Sequence, residues 1–309
     1  MVGNFVFFVI SLALVIKGAT LATKYSAKLA ESYHLSKYIV GFIIVAFISI
    51  LPETLISINA AIAGIPSFGL GTLLGSNVAD LTLIFAILIV ATGRGIKIES
   101  KILKNINTYP LFLVLPLVLG LNGYFSRIDG IILIVAGAFF YYMVFKNGVE
   151  SSATLHNGNG KVKCFLFLLL AMALLLVGSH FTVRSATALA HSLDISPILI
   201  GMLVVSLGTT MPELFFSLKS HKQKDDGLAI GDILGSVLAD ATIVIGILAC
   251  ISPFYFPVKI IYITGVFMVI ASIILLQFMR SGRILSKKEG SLLFVFWACY
   301  VIIEFTLNR

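Results

Sequence analysis

The sequence predicts an all-α integral membrane protein, with ten transmembrane helices in two inverted-topology five-helix repeats. Three observations predict it: a composition too apolar for water, basic residues that alternate sides, and a second half that copies the first. Of the 309 residues, 59% are hydrophobic and 12% charged, where soluble domains run at about 45–50% and about 25%. Apolar runs of about 20 residues, the length that crosses hydrocarbon as a helix, recur along the chain. Lipid offers the backbone no hydrogen bonds, so a spanning segment must satisfy its own. The alternating pattern of a membrane barrel is absent.

Polar breaks divide the apolar runs into spans at 4–22, 37–63, 68–91, 106–123, 128–146, 163–188, 196–219, 228–251, 255–278 and 288–307. Met1 to Val15 carries neither the basic start nor the small-residue cleavage site of a leader peptide, so it reads as the start of the first span. Seventeen of the 22 Lys and Arg fall in odd-numbered connections, among them Lys24 and Lys28, Arg94 to Lys104, Lys219 to Lys224, and Arg280 to Lys288. Only Arg127, Arg184, Lys259 and Arg309 lie on the other side, and Lys17 sits within the first span. The positive-inside rule then places both termini outside the cytoplasm, with the cell membrane as the expected location. It also explains the net charge of +8 without nucleic acid. Residues 147–162, rich in Ser, Asn and Gly, read as a flexible cytoplasmic linker between a first repeat at 1–146 and a second at 163–309.

The repeat is visible at a constant offset of 160 residues. Gly18 matches Gly178, Gly41 matches Gly201, Pro52 matches Pro212, Glu53 matches Glu213 and Ser57 matches Ser217. The run Gly71, Leu74, Gly75, Ser76, Ala79, Asp80 matches Gly231, Leu234, Gly235, Ser236, Ala239, Asp240. Five spans separate equivalent positions. An odd number inverts one half relative to the other, an arrangement that recurs in secondary transporters with the substrate site at the repeat interface.

Four acidic residues lie in mid-span: Glu53, Asp80, Glu213 and Asp240. An ionisable group at that depth costs on the order of 2.5–3.5 kcal/mol on insertion scales and normally marks an ion or proton pathway. One such residue is readily a hydrogen-bonded packing group; two pairs related by a repeat point to a cation site. Pro52 and Pro212 precede the glutamates, and proline frees backbone carbonyls from their intrahelical partners. Ser49, Gly208, Thr209 and Thr210 add hydroxyls and backbone freedom. Ser76 and Ser236 lie one helical turn before the aspartates, on the same face. Carboxylate, hydroxyl and carbonyl oxygens suit a hard cation, and Ca²⁺ takes about 6–8 of them. Soft-metal ligands are missing at these positions, and Cys164, Cys250 and Cys299 are scattered through apolar runs. No dinucleotide, Walker or HExxH motif occurs. The expectation is therefore no cofactor and no enzyme, with transported Ca²⁺ and Na⁺ or H⁺, and with inorganic cations and lipid as partners. No obligate protein partner is evident.

These motifs resemble the two signature repeats of the cation/calcium exchanger superfamily, the sodium/calcium exchanger type in particular. The second copy, from Gly208-Thr209-Thr210-Met211-Pro212-Glu213 to Gly231-Asp232-Ile233-Leu234-Gly235-Ser236-Val237-Leu238-Ala239-Asp240, carries the resemblance best. It implies Glu53 and Glu213 as central Ca²⁺ ligands. Ser49, Thr209, Thr210, Ser76, Ser236 and Asp240 would share Ca²⁺ and Na⁺, and the carbonyls of Ala46 and Ser206 would contribute. The first copy departs from the pattern: it reads Ile48-Ser49-Ile50 where the family usually has Gly-Thr-Ser, and Asp80 where many relatives have Asn. Four carboxylates against the +2 of one Ca²⁺ point to a proton on Asp80, Asp240 or both during part of the cycle. The leading reading is thus a Na⁺/Ca²⁺ antiporter, with a H⁺/Ca²⁺ antiporter as its alternative. A cation channel and a two-aspartate intramembrane hydrolase are the remote ones.

Overall fold

The computed structural model describes residues 2–30, 40–98, 108–148 and 161–307. Its helices are α1 (Val2–Ala30), α2 (Ala46–Ile62), α3 (Pro66–Thr92), α4 (Tyr109–Asn122), α5 (Arg127–Gly148), α6 (Lys161–Ser192), α7 (Pro197–Lys222), α8 (Asp226–Ile251), α9 (Ile261–Ser281) and α10 (Lys287–Leu307). Eight of them are long and apolar enough to cross a membrane; α2 and α4 are shorter. The predicted spans 37–63 and 106–123 begin on residues outside the described ones. Most of the predicted linker, residues 149–160, also lies outside them.

Local chemistry sets the helix ends. Pro66 and Pro197 open α3 and α7, where the missing N–H costs nothing. Gly93, in the left-handed region, closes α3. α5 and α10 start with the same device: Ser126 and Asp129 exchange bonds of 2.7–3.2 Å, and Ser286 and Glu289 exchange bonds of 2.7–3.4 Å. Each is a capping box, and the two lie 160 residues apart. The repeat therefore extends well beyond Asp240, where the sequence match was last seen. α1 continues eight residues past its predicted end at 22. A helix need not stop where the apolar run does, and its last turns carry Lys24 and Lys28.

Two short antiparallel ribbons tie the halves together. β1 (Ile96–Lys97) pairs with β4 (Ile284–Leu285), and β2 (Tyr124–Phe125) pairs with β3 (Phe254–Tyr255). Beside β1, Arg94 makes a two-pronged ion pair with Asp226 at 2.7 and 2.9 Å. The same carboxylate meets His221 Nδ1 at 2.6 Å and accepts the Lys97 N–H at 2.8 Å.

α3 and α8 form the centre. Every residue from Phe68 to Thr82 and from Ala229 to Thr242 is buried. α1, α5, α6 and α10 lie outside and present Phe5, Val135, Leu166 and Ile302 to lipid. Packing is crossed between halves: α8 lies against the π-helical turn Val40–Val45 and the start of α2, and α3 lies against the π-helical turn Gly201–Val205 of α7. Glycine makes this approach possible. A Cβ on Gly235 would lie 2.6 Å from Ala46 Cβ and 3.1 Å from the Phe42 carbonyl carbon. One on Gly75 would lie 2.9 Å from Met202 Cα. Two buried phenols fix the same turn of α8: Tyr109 donates to the Leu234 carbonyl and Tyr141 to that of Gly235, each at 2.8 Å.

Gly235→Ala is expected to lower the melting temperature in detergent, because overpacking against backbone costs about 1–3 kcal/mol. Gly282→Ala, whose Cβ meets nothing within 4 Å, is expected to leave it unchanged. Thermal unfolding of the two variants followed by size-exclusion chromatography checks the contrast.

Candidate cation site

α2 and α7 both break where their glutamates begin. α2 is interrupted at Ile50, between Ala46–Ser49 and Leu51–Ile62. α7 is interrupted at Thr210, between Ser206–Thr209 and Met211–Lys222. Pro52 and Pro212 stand in the first turn after each break, so Glu53 and Glu213 open the second segments. Asp80 and Asp240 each begin a π-helical turn, Asp80–Ile84 and Asp240–Val244. Such turns are rare and gather at functional sites. Here Thr82 donates to the Val78 carbonyl, and Thr242 donates to that of Leu238 at 2.6 Å.

All four carboxyls are at most 2% exposed, and each has a buried oxygen without a hydrogen-bond partner: Glu53 Oε2, Glu213 Oε2, Asp80 Oδ1 and Asp240 Oδ1. They share one interior. Glu53 and Asp80 both lie within Coulombic reach of Glu213 and of Asp240. Thr209 sits beside Glu53, and Thr210 beside Asp80. No three His, Cys, Asp or Glu side chains among the described residues close on one point as ligands of a resident metal do. The oxygens on offer are of mixed kinds, supplied by both halves.

The smaller donors are all buried. Ser76 and Ser236 turn back on their own helices, to the carbonyls of Leu73 at 3.0 Å and Ile233 at 3.1 Å. Ser49 donates toward the Ala46 carbonyl at 3.2 Å, and Thr209 toward that of Ser206 at 3.0 Å. These two carbonyls, expected to be free for a cation, also accept the N–H groups of Ile50 and Thr210 at 3.1 and 3.0 Å. The proline lies too far along the chain to release them: its missing N–H falls two residues past the break. The Ser206 hydroxyl bonds the Met202 carbonyl. Thr210 Oγ1 has no hydrogen-bond partner.

Two fully buried acids escaped the sequence reading. Asp232 is fully buried, and Ser49 Oγ donates to its Oδ1 at 2.8 Å. It sits near the start of a span, and its repeat mate is Thr72, so neither depth nor symmetry marked it. Its place one turn before Gly235, whose missing Cβ lets α8 approach Phe42 and Ala46, was the available signal. Glu304 is fully buried in α10 and accepts from Thr264; its repeat mate is Val144.

A family model described as sodium/calcium exchanger protein matches residues 3–146 and 163–306. The chain belongs to the sodium/calcium exchanger family. This exchanger is 30% identical to an uncharacterised membrane protein of Methanocaldococcus jannaschii, over 96% of this chain and 95% of that one. It is 25% identical to the sodium/calcium exchanger MaX1 of Methanosarcina acetivorans over 98% of each chain. Its fold matches the sodium-calcium exchanger NCX_Mj soaked with Na⁺ and Sr²⁺, with a TM-score of 0.74 and 26% identity over 97% of both chains. It is thus a membrane antiporter of that family, and its helices carry ion transport.

A ligand at about 100 times its Kd stabilises the folded state by about 2.7 kcal/mol. Ca²⁺ is therefore expected to raise the melting temperature of the exchanger, and the combined Glu53→Gln and Glu213→Gln variant is expected to lose that rise. Melting curves with and without Ca²⁺ check it.

Proposed function

We propose that the exchanger moves Ca²⁺ against Na⁺ by alternating access around one site at mid-membrane. Glu53 and Glu213 are its central ligands, and Asp80, Asp240, Ser49, Thr209, Thr210, Ser76 and Ser236 complete it. The carbonyls of Ala46 and Ser206 join once their hydroxyl donors swing away. The observation that carries this reading is the set of carboxyls from both halves, buried together at two broken helices with an oxygen of each unpartnered. An apolar interior tolerates such groups only when a cation, a proton or hydrogen-bond donors meet them. Oxygen ligands of mixed kind suit Ca²⁺ and serve Na⁺ as well.

In this reading ten spans form two inverted repeats, 1–146 and 163–309, joined by a cytoplasmic linker at 147–162. Both termini face away from the cytoplasm, and the cell membrane is the location. The crossed ribbons support the inversion: the strand after α3 pairs with the strand before α10, and the strand before α5 pairs with the strand after α8. Exchanging the halves maps one ribbon onto the other. The sodium/calcium exchangers among the relatives support Na⁺ as the coupling ion.

A specific observation favours a second reading, exchange of Ca²⁺ for H⁺. Ile50 stands where the second half has Thr210, which removes one oxygen, and the carboxyls outnumber the charge of one Ca²⁺.

The test is ⁴⁵Ca²⁺ uptake into proteoliposomes, with an outward Na⁺ gradient or an outward H⁺ gradient imposed separately. Uptake driven by Na⁺ and absent in Glu213→Gln is the expected result. Uptake driven by H⁺ alone overturns the sodium reading, and uptake under neither gradient removes Ca²⁺ as the substrate.

A further inference from the structure

The two halves differ most where their oxygen donors would be expected to match. Ser49 and Thr209 are equivalent, but Thr209 donates to the carbonyl three residues back at 3.0 Å, whereas the Ser49 hydroxyl, 3.2 Å from the matching carbonyl, has its shorter bond elsewhere. At the next position the symmetry fails: the second half has Thr210, with a buried and unpartnered hydroxyl, and the first has Ile50. The first half is one oxygen short.

At the pair Thr72 and Asp232 the imbalance runs the other way. The Thr72 hydroxyl donates to the Phe68 carbonyl at 3.0 Å, within its own helix. Asp232 instead reaches across to the first half. Its Oδ1 accepts from Ser49 Oγ at 2.8 Å, the residue beside the missing hydroxyl. Its Oδ2 is buried and has no hydrogen-bond partner. Asp232 also lies within Coulombic reach of Glu53, Asp80 and Glu213. A carboxyl with one oxygen bare in an apolar interior is costly unless a charge or donor meets that oxygen. Among the described residues, the ion pairs of Arg94 and His221 go to Asp226 and not to Asp232.

We propose that Asp232 is a fifth carboxyl of the cation site, supplying the oxygen that Ile50 withholds. By accepting the Ser49 hydrogen bond it also leaves the lone pairs of that hydroxyl for the cation. Affinity in oxygen-ligand sites follows the number of charged ligands, so Asp232 sets how tightly Ca²⁺ is held against the competing ion. This assignment rests on the cation-exchange reading above. A packing role would ask only that position 232 accept the Ser49 hydrogen bond.

Asp232→Asn separates the two roles, because it keeps the acceptor and the volume and removes the charge. Asp232→Thr, which installs the residue of the repeat mate, is a second variant should the first fail to fold. The readout is the KM for Ca²⁺ in ⁴⁵Ca²⁺ uptake, beside the melting temperature without Ca²⁺. Either variant is expected to raise KM by at least about tenfold, as loss of a metal-orienting partner does, and Asp232→Asn is expected to do so at an unchanged melting temperature. Adding Ile50→Thr is expected to restore much of the loss. An unchanged KM in Asp232→Asn overturns the assignment and leaves a packing acceptor; a raised KM that Ile50→Thr fails to recover overturns the substitution of one oxygen for the other. Absence of uptake by the wild-type chain removes the exchange reading and this assignment with it, whereas wild-type uptake with a silent Asp232→Asn removes the assignment alone.

Discussion

A carboxyl group buried in a bundle solvated by lipid is the constraint on which the rest of this structure depends. In water its charge is free; here it must be met by oxygen-seeking cations, by protons or by donors, or the fold bears the cost. Glu53, Glu213, Asp80, Asp240 and Asp232 lie in one such interior, each with a buried oxygen lacking a hydrogen-bond partner. The surrounding architecture serves to hold them close. α3 and α8 run through the centre, buried along the turns that carry the aspartates and serines. Gly75 and Gly235 let those turns press against Met202 and against Phe42 and Ala46 of the opposite half. The tyrosines at 109 and 141 secure the α8 side from behind.

The symmetry of the fold is close in its framework and broken in its chemistry. Helix breaks, π-helical turns, capping boxes and ribbons all recur at or near the 160-residue offset. Most of the oxygen donors recur as well, and three positions do not. Ile50 faces Thr210 across the repeat, Thr72 faces Asp232, and Val144 faces Glu304. The matched framework lets the two halves pair through equivalent ribbons and crossed packing. Two of the departures, at Ile50 and Asp232, lie beside Ser49 among the buried carboxyls, and the third, Glu304, bonds Thr264.

Much of this was legible in the sequence because lipid solvation leaves coarse signals. Apolar runs between polar breaks marked the helices to within a few residues at most ends. Pro52-Glu53 and Pro212-Glu213 marked the breaks, since proline and a mid-span acid are both expensive there. The carbonyls of Ala46 and Ser206 lie before the breaks and keep the N–H partners of their own turns, a detail that the position of the prolines in the sequence did not reveal. Asp232 was invisible for a different reason: depth along a span is a poor measure of burial when the helix lies at the centre of the bundle. Glu304, close to a span end, was missed for another reason: α10 is an outer helix, and only its inward side buries the residue. Both were hidden further by apolar or neutral repeat mates, which an argument from symmetry passes over.

The central claim is that one cation is held between the two halves, at Glu53 and Glu213. A crystal of the exchanger soaked in Sr²⁺ tests it most directly through the anomalous scattering of the ion. The account predicts one strong peak between the two glutamates, absent in Glu213→Gln. A peak at Glu304 and Thr264 instead, or one that survives Glu213→Gln unchanged, would contradict it.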